Sequence, residues 1–117
     1  MGRKVWVAVD CNAHTNPKVA KLADLLKLDI DTTVGKLCRL WGWAKLAENE
    51  DGYIGLLPAS EFAGIMRWQK KPQILLDALI SSGFLDINSD GEYTLHDWYS
   101  MNGKSAEKAR KDRERKP

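Results

Sequence analysis

The segment from residue 31 to about residue 49 carries apolar side chains on two faces of a helix, and this feature constrains the fold of the 117-residue chain most. The two stripes are Val34, Leu37, Trp41 and Ala44, and Leu40, Trp43 and Ala47. A helix that is apolar on more than one face must be covered by other elements. We therefore predict that this segment is the buried central helix of the fold.

The start and the glycines of this central helix lead to two further predictions. Asp31, Thr32 or Thr33 is expected to cap its N-terminus, because these side chains accept hydrogen bonds from the free backbone N–H groups there. Gly35 and Gly42 lie two turns apart, which predicts the close approach of a neighbouring element.

Proline, glycine and β-branched residues delimit the elements on either side. Residues 5–9 are β-branched and predict a short strand. Asn16 followed by Pro17 is typical of a helix start, and the apolar spacing predicts an amphipathic helix over 17–27. After a turn at residues 50–52, a minimal strand is predicted over 53–56.

Two helices and a hairpin are predicted in the second half of the chain. Pro58 opens a short helix that buries Phe62, Ala63 and Met66. Pro72 opens another helix, which Ser82 and Gly83 end. Its predicted buried face consists of Ile74, Leu75, Ala78 and Leu79. Strands over 84–87 and 92–96 flank a turn at 88–91 and form a β-hairpin.

The order from residue 31 is thus helix, strand, helix, helix and hairpin, which is the order of a winged helix-turn-helix. We predict an α+β, mostly helical fold: a winged helix-turn-helix with an extra N-terminal strand and helix. This domain spans 1–100, and 101–117 form a basic tail or linker that is disordered. In that arrangement the helix from Pro72 is the third of the motif and the hairpin is the wing.

The tail concentrates positive charge. Residues 101–117 contain seven basic and three acidic residues, whereas the rest of the chain is mildly acidic. Such a tail has no large apolar residue after Met101 to bury, so it is either a phosphate-binding arm or a solvated linker. Lys104, Lys108 and Lys111 are spaced so that a helix induced by DNA would align them.

The chain resembles the N-terminal winged-helix domain of phage and prophage replication-initiation proteins, the DnaD-like replisome organisers. The segments that carry the resemblance are Asn16-Pro17-Lys18, Val34-Gly35-Lys36-Leu37, Leu40-Trp41-Gly42-Trp43-Ala44, Asp51-Gly52-Tyr53-Ile54, Asp77-Ala78-Leu79, Gly83-Phe84-Leu85-Asp86, Leu95-His96-Asp97-Trp98 and the basic run at 110–116. The resemblance implies a DNA-binding or assembly module. In that family the tail leads to a further region that engages the host helicase-loading machinery. The chain is therefore expected to be either a fragment of such a protein or a short member of the family.

The third helix of a winged helix normally enters the major groove of double-stranded DNA. The predicted DNA contacts near its start are Arg67, Gln69, Lys70, Lys71 and Gln73, and those of the tail are Lys104, Lys108, Arg110, Lys111 and Arg113. The polar residues near the start of this helix are explained equally simply as solvent-exposed residues without a binding role. Asp77, one turn further on, would repel phosphate if it faced the groove. Trp68 is expected to pack in the core rather than stack on a base. The predicted wing tip, residues 88–92, is acidic, so it would bind DNA phosphates less well than the basic wings that are usual in DNA-binding proteins.

Catalytic and metal-dependent functions are not expected. The Cys and His residues are Cys11, His14, Cys38 and His96, and Cys38 is better explained as a small apolar residue than as a zinc ligand. No glycine-rich phosphate loop or nucleophile beside a base is present. We expect Asp29 and Asp31 to cap a helix. His96 is expected either to form a hydrogen bond within the sheet or to anchor the chain as it leaves the wing. We therefore predict no enzyme activity, no metal and no cofactor.

Two other functions remain open. The module is either an assembly unit of a replisome protein, with the strand at 5–9 pairing across a homo-oligomer, or a transcriptional regulator with the same fold. The chain lacks an apolar run long enough for a membrane span and a charged, apolar leader. We expect a cytoplasmic protein without membrane contact.

Overall fold

The computed structural model describes residues 9, 11–46 and 52–96. They form an α+β fold that is mostly helical, with four α-helices and a small antiparallel sheet. None of the helices in these ranges has the length and apolar character needed to cross a membrane. The predicted strand at 5–9 and the tail at 101–117 lie outside the described residues, except Val9, which belongs to no strand.

The first helix begins as its sequence predicts. After a short 3-10 helix at Ala13–Thr15, helix α1 spans Pro17–Leu26. The side chain of Asn16 accepts a hydrogen bond from the backbone N–H of Lys18 at 2.8 Å, so Asn16 is the N-cap. The predicted end at residue 27 is one residue too late, because Lys27 adopts a left-handed conformation with φ 60° that ends the helix.

The central helix α2 spans Ile30–Leu46, and its buried side chains lie between Thr33 and Ala44. The cap predicted among Asp31, Thr32 and Thr33 was wrong, whereas the capping role expected of Asp29 is confirmed. Asp29 caps the helix: its carboxylate accepts a hydrogen bond from the N–H of Thr32 at 3.3 Å, and its carbonyl accepts one from the Thr33 hydroxyl. Hydrogen bonds from the side chain and backbone of Thr32 hold the pKa of Asp29 below its usual range. Thr33 is instead completely buried within the first turn.

The prediction that Gly35 and Gly42 allow another element to approach α2 closely was wrong. A Cβ atom added at Gly35 or Gly42 would meet no atom within 4 Å apart from the helix's own backbone and chain neighbours. The helices that cover α2 therefore contact it through larger side chains. Leu37, Leu40 and Ala44 are completely buried in those contacts.

Three short strands form one sheet against the helices. Strand β1 spans Tyr53–Gly55, β2 spans Leu85–Ile87 and β3 spans Tyr93–Leu95, and β3 lies between the other two with antiparallel pairing on both sides. Leu85 lies opposite Leu95, and both are buried. The turn between β2 and β3 closes with a hydrogen bond from the N–H of Gly91 to the carbonyl of Asn88.

Helix α3 (Ala59–Met66) packs on α2, and helix α4 (Pro72–Ser81) packs on α3 and α1. Phe62, Ala63 and Met66 are buried in α3, as predicted. On α4, however, Leu76 is buried and Ile74 is 45% exposed, so the predicted face is wrong at that position. The segment is apolar almost all round, and which side faces the core depends on how α4 docks.

Gly83 ends α4 in a conformation that favours glycine. It has φ +86°, and the N–H groups of Gly83 and Phe84 donate to the carbonyls of Ile80 and Leu79 at 3.1 and 2.9 Å. These are the two hydrogen bonds of a Schellman motif, in which the left-handed residue is commonly glycine because it has no Cβ. A Cβ atom at this position would lie 3.2 Å from Cε of Lys18.

We expect Gly83→Ala to lower the free energy of unfolding by about 1–2 kcal/mol, the cost of a left-handed L-residue. Gly64→Ala in α3 is the matched control, because Gly64 lies in the helix with open space around its Cβ direction. It should raise stability by about 0.5–1 kcal/mol. Urea denaturation of the two variants tests the opposite signs. Equal effects would show that backbone conformation does not control residue 83.

Candidate nucleic-acid interface

The turn between α3 and α4 carries most of the predicted DNA contacts. Arg67, Gln69, Lys70 and Lys71 are exposed there, and Gln73 is exposed in the first turn of α4. The structure therefore brings these five sequence-predicted residues together on one short segment. The predicted contacts in the tail lie outside the described residues.

The backbone of this turn is fixed at its start by Arg67. Arg67 has φ 58°, and its N–H donates to the carbonyl of Gly64. The next N–H, that of Trp68, donates to the carbonyl of Ala63 at 2.8 Å. The end of α3 is thus also a Schellman motif, with arginine at the position where glycine is usual.

Trp68 fixes the other end of the turn. Its side chain is 7% exposed and belongs to the hydrophobic core, in agreement with the predicted core role. Its indole Nε1–H donates to the carbonyl of Lys71, the residue that precedes α4, at 2.9 Å. A buried ring therefore anchors the backbone from which Lys70 and Lys71 project. Nζ of Lys70 lies 5.8 Å from the centre of the Trp68 ring, at the outer range of a cation–π contact.

Helix α2 adds a cation that the sequence did not identify as part of this surface. Nζ of Lys36 donates to the carbonyls of Met66 and Arg67 at 3.1 and 2.9 Å, at the C-terminal end of α3. An ammonium group at this end stabilises the unpaired carbonyls and the negative end of the helix dipole. The contact joins residues 30 and 31 positions apart, so local sequence contains no signal for it.

Three positive charges interact at this place. Partial burial lowers the pKa of the Lys36 ammonium, and the charges of Arg39 and Arg67 lower it further. Arg39 therefore lies close enough to belong to the same surface. We call Lys36, Arg39, Arg67, Lys70 and Lys71 the cationic surface.

The cationic surface lacks neutralising partners among the residues that the structure describes. The ion pairs within those ranges join His14 to Asp31 and His96 to Asp86, and none involves a lysine or arginine. Arg39, Arg67, Lys70 and Lys71 are also exposed, and exposed cations without a carboxylate partner keep their attraction for an external anion.

The exposed face of α4 differs from the turn that precedes it. Gln73, Ile74, Asp77 and Ser81 are exposed, and none is basic. Nε2 of Gln73 donates to Oδ1 of Asp77 at 2.8 Å, so Asp77 is engaged one helical turn from the cationic surface. Helix α4 itself therefore has no lysine or arginine that could contact phosphates.

The outer face of the sheet is polar. Thr94 lies opposite both Tyr53 and Asp86, and Nδ1 of His96 lies 2.8 Å from Oδ2 of Asp86. This contact agrees with the predicted hydrogen bond of His96 within the sheet. The Tyr53 hydroxyl donates to Oε2 of Glu92 at 2.6 Å. The hairpin therefore presents carboxylates rather than cations, as its sequence indicates.

The hydrogen bond from Tyr53 predicts a pH effect. Hydrogen bonds from Tyr53 and Asn88 lower the pKa of Glu92 in the folded chain. A carboxyl group with a lowered folded pKa stabilises the fold above its unfolded pKa, and this stability is lost as the pH falls through the folded pKa. Tyr53→Phe should raise the pKa of Glu92 toward its ordinary value, measured by NMR titration of the Glu92 carboxyl carbon.

Tyr93→Phe is the control for this titration, because the Tyr93 ring packs edge-on against Phe62 in the core. It removes a hydroxyl from the same sheet without removing the donor to Glu92. An equal rise in both variants would contradict the assignment to the Tyr53 hydroxyl.

The cysteine and histidine side chains are dispersed. Cys11 and Cys38 are free thiols, and burial raises the pKa of Cys38, which is consistent with a small apolar role. Within residues 9, 11–46 and 52–96, no three His, Cys, Asp or Glu side chains come together in a way that could hold a metal ion.

Searches of protein-family models, curated proteins and solved structures each find no match to this chain. Its function must therefore be argued from its own residues.

Proposed function

We propose that this chain is a non-catalytic DNA-binding module of the winged helix-turn-helix type, from a phage or prophage replication-initiation protein. In this proposal α3 and α4 form the helix-turn-helix, the first turn of α4 enters the major groove of duplex DNA, and the β2–β3 hairpin is the wing. The order α2, β1, α3, α4, β2, β3 and the central place of β3 in the sheet support this fold.

The observation that carries the DNA-binding proposal is the cationic surface. Lys70 and Lys71 directly precede α4, Arg67 and Lys36 lie at the end of α3, and Arg39 lies near Lys36. None of the five is ion-paired to a carboxylate in the described part of the chain. Phosphate contacts position a protein on DNA, and they come mainly from arginine, lysine and backbone N–H groups. The proposal places these contacts beside the groove-facing end of α4, where they would orient the helix.

The tail is the second part of the proposal. Lys104, Lys108, Arg110, Lys111 and Arg113 would contact phosphates beyond the cationic surface and supply the charge that the acidic hairpin lacks. Because each neutralised phosphate releases counterions, the tail should make binding more dependent on salt.

Fluorescence anisotropy of a labelled DNA duplex across a salt series tests both parts. We compare the full chain with a variant in which those five tail residues are glutamine. Weakened binding with a smaller salt dependence is expected for the variant. If the variant does not bind at all, the folded domain is not a DNA-binding unit; if the unaltered chain does not bind, the proposed function is wrong.

Exposed apolar residues at the sheet favour an assembly function as the second candidate. Leu56, after β1, is 73% exposed, and Ile87 in β2 is 49% exposed. Light scattering of the same samples tests this candidate. A stable oligomer that Leu56→Ser converts to a monomer, together with no DNA binding, would favour assembly over DNA recognition.

A further inference from the structure

The first turn of α4 exposes an amide beside an apolar side chain. Gln73 is exposed, and Ile74 next to it is 45% exposed although the other large aliphatic residues of the helix are buried or half-buried. Successive helical residues project about 100° apart, so the two side chains can reach different edges at the floor of a groove.

The Gln73 amide has a defined orientation. A carboxylate accepts hydrogen bonds and donates none, so the hydrogen bond to Asp77 identifies the near side of the amide as Nε2. No other hydrogen bond of this side chain is present within the described residues. The second N–H and Oε1 therefore remain as a donor and an acceptor side by side.

This pair of groups matches one base. In the major groove, adenine presents the N7 acceptor beside the N6 amino donor, and its partner thymine presents a C5-methyl group. Glutamine can bond both adenine positions, and an apolar side chain can contact the methyl group. Ile74 offers such a contact one residue from Gln73.

On this surface the residues that could bind phosphates are different from those that could contact bases. The cations lie in the turn and on α2, whereas the exposed face of α4 has no basic residue. Phosphate contacts carry little sequence information, so base discrimination is left to the uncharged side chains.

We propose that the first turn of α4 recognises A·T base pairs from the major groove, with Gln73 hydrogen-bonded to adenine and Ile74 in contact with a thymine methyl group. This inference rests on the proposed function. Asp77 is a positioning residue that holds the Gln73 amide in the orientation adenine requires.

Four short duplexes test the inference with the full chain: alternating A·T, the same with deoxyuridine for thymidine, the same with 7-deazaadenine for adenine, and alternating G·C. The two analogues remove the methyl group or N7 and leave the minor-groove edge unchanged. We expect A·T to be bound about five-fold or more above G·C. Loss of the methyl groups should weaken binding about four-fold per contact, the value of one buried carbon group.

Variants assign each effect to a side chain. Gln73→Ala should abolish the sensitivity to 7-deazaadenine, and Ile74→Ala should abolish the sensitivity to deoxyuridine. Leu25→Ala is the matched control for Ile74, since Leu25 on α1 is 42% exposed; it should leave both sensitivities unchanged. Asp77→Ala should raise affinity for all duplexes by removing a negative charge, while reducing the sensitivity to 7-deazaadenine because the acceptor that holds the Gln73 amide is lost.

Equal binding to all four duplexes would overturn the A·T inference and leave the DNA-binding proposal standing. Sensitivity to the analogues that persists in Gln73→Ala and Ile74→Ala would also overturn it, because other residues would then contact the bases. Absence of binding to every duplex at low salt would overturn both proposals. Circular dichroism of the variants should match the unaltered chain, because the substituted side chains are exposed.

Discussion

Replacing Lys70 and Lys71 together by alanine is expected to weaken binding to duplex DNA about ten-fold at low salt, for every sequence. Both side chains are exposed in the turn before α4, and neither is ion-paired to a carboxylate in the residues described. Each lost phosphate contact removes about one unit from the slope of log affinity against log salt. The slope should therefore fall by about two for the double variant.

The control for this double variant must remove the same charge elsewhere. Lys27→Gly combined with Lys45→Ala does so just after α1 and on α2, and glycine suits the left-handed conformation of residue 27. It should leave the salt slope nearly unchanged. Equal slopes for the two double variants would mean that net charge, and not the turn before α4, governs binding, and the placement of α4 on DNA would then be wrong.

The local signals in the sequence predicted most of the elements. Asn16 with Pro17, Pro72 and the turn at residues 88–91 mark boundaries through short-range backbone chemistry, and the structure confirms helices and strands beside each of them. These signals work because capping and φ restriction act within a few residues.

The misplaced features depend on tertiary contacts. Asp29, Asp31, Thr32 and Thr33 all carry side chains that can cap a helix. The expected role of Asp29 is confirmed, whereas Thr33, predicted as an alternative cap, is buried in the first turn instead. Ile74 and Leu76 are equally apolar in sequence, and docking of α4 decides which is buried. The glycines of α2 indicated close packing from composition alone, although no neighbouring atom lies near them.

Only part of the candidate site could be predicted from the sequence, because the remaining part depends on tertiary contacts. Arg67, Lys70 and Lys71 are close in sequence, so their grouping required no knowledge of the fold. Lys36 joins them only because α2 and the end of α3 meet in space, where its ammonium bonds two carbonyls. In the sequence, a lysine that caps a distant helix cannot be distinguished from any other exposed lysine.

Trp68→Ala is expected to lower the free energy of unfolding by about 3–5 kcal/mol, since it removes a large buried ring. Trp68→Phe is the more informative change, because it keeps an aromatic ring and removes the Nε1 hydrogen bond to the Lys71 carbonyl. That loss should cost about 1 kcal/mol, in addition to the effect of the smaller ring. Urea denaturation measures both variants.

Trp68→Phe should also weaken DNA binding while the protein remains folded, because the Lys71 carbonyl is released and the turn that carries Lys70 and Lys71 loses its anchor. Trp41→Phe is the matched control: Trp41 is 5% exposed and its ring lies 6.4 Å from that of Phe84, and its indole makes no hydrogen bond to the backbone of the turn in the described residues. It should reduce stability and leave DNA affinity unchanged. If both variants keep full affinity, the indole supports the core alone, and the orientation of the cations must come from the capping contact of Lys36 instead.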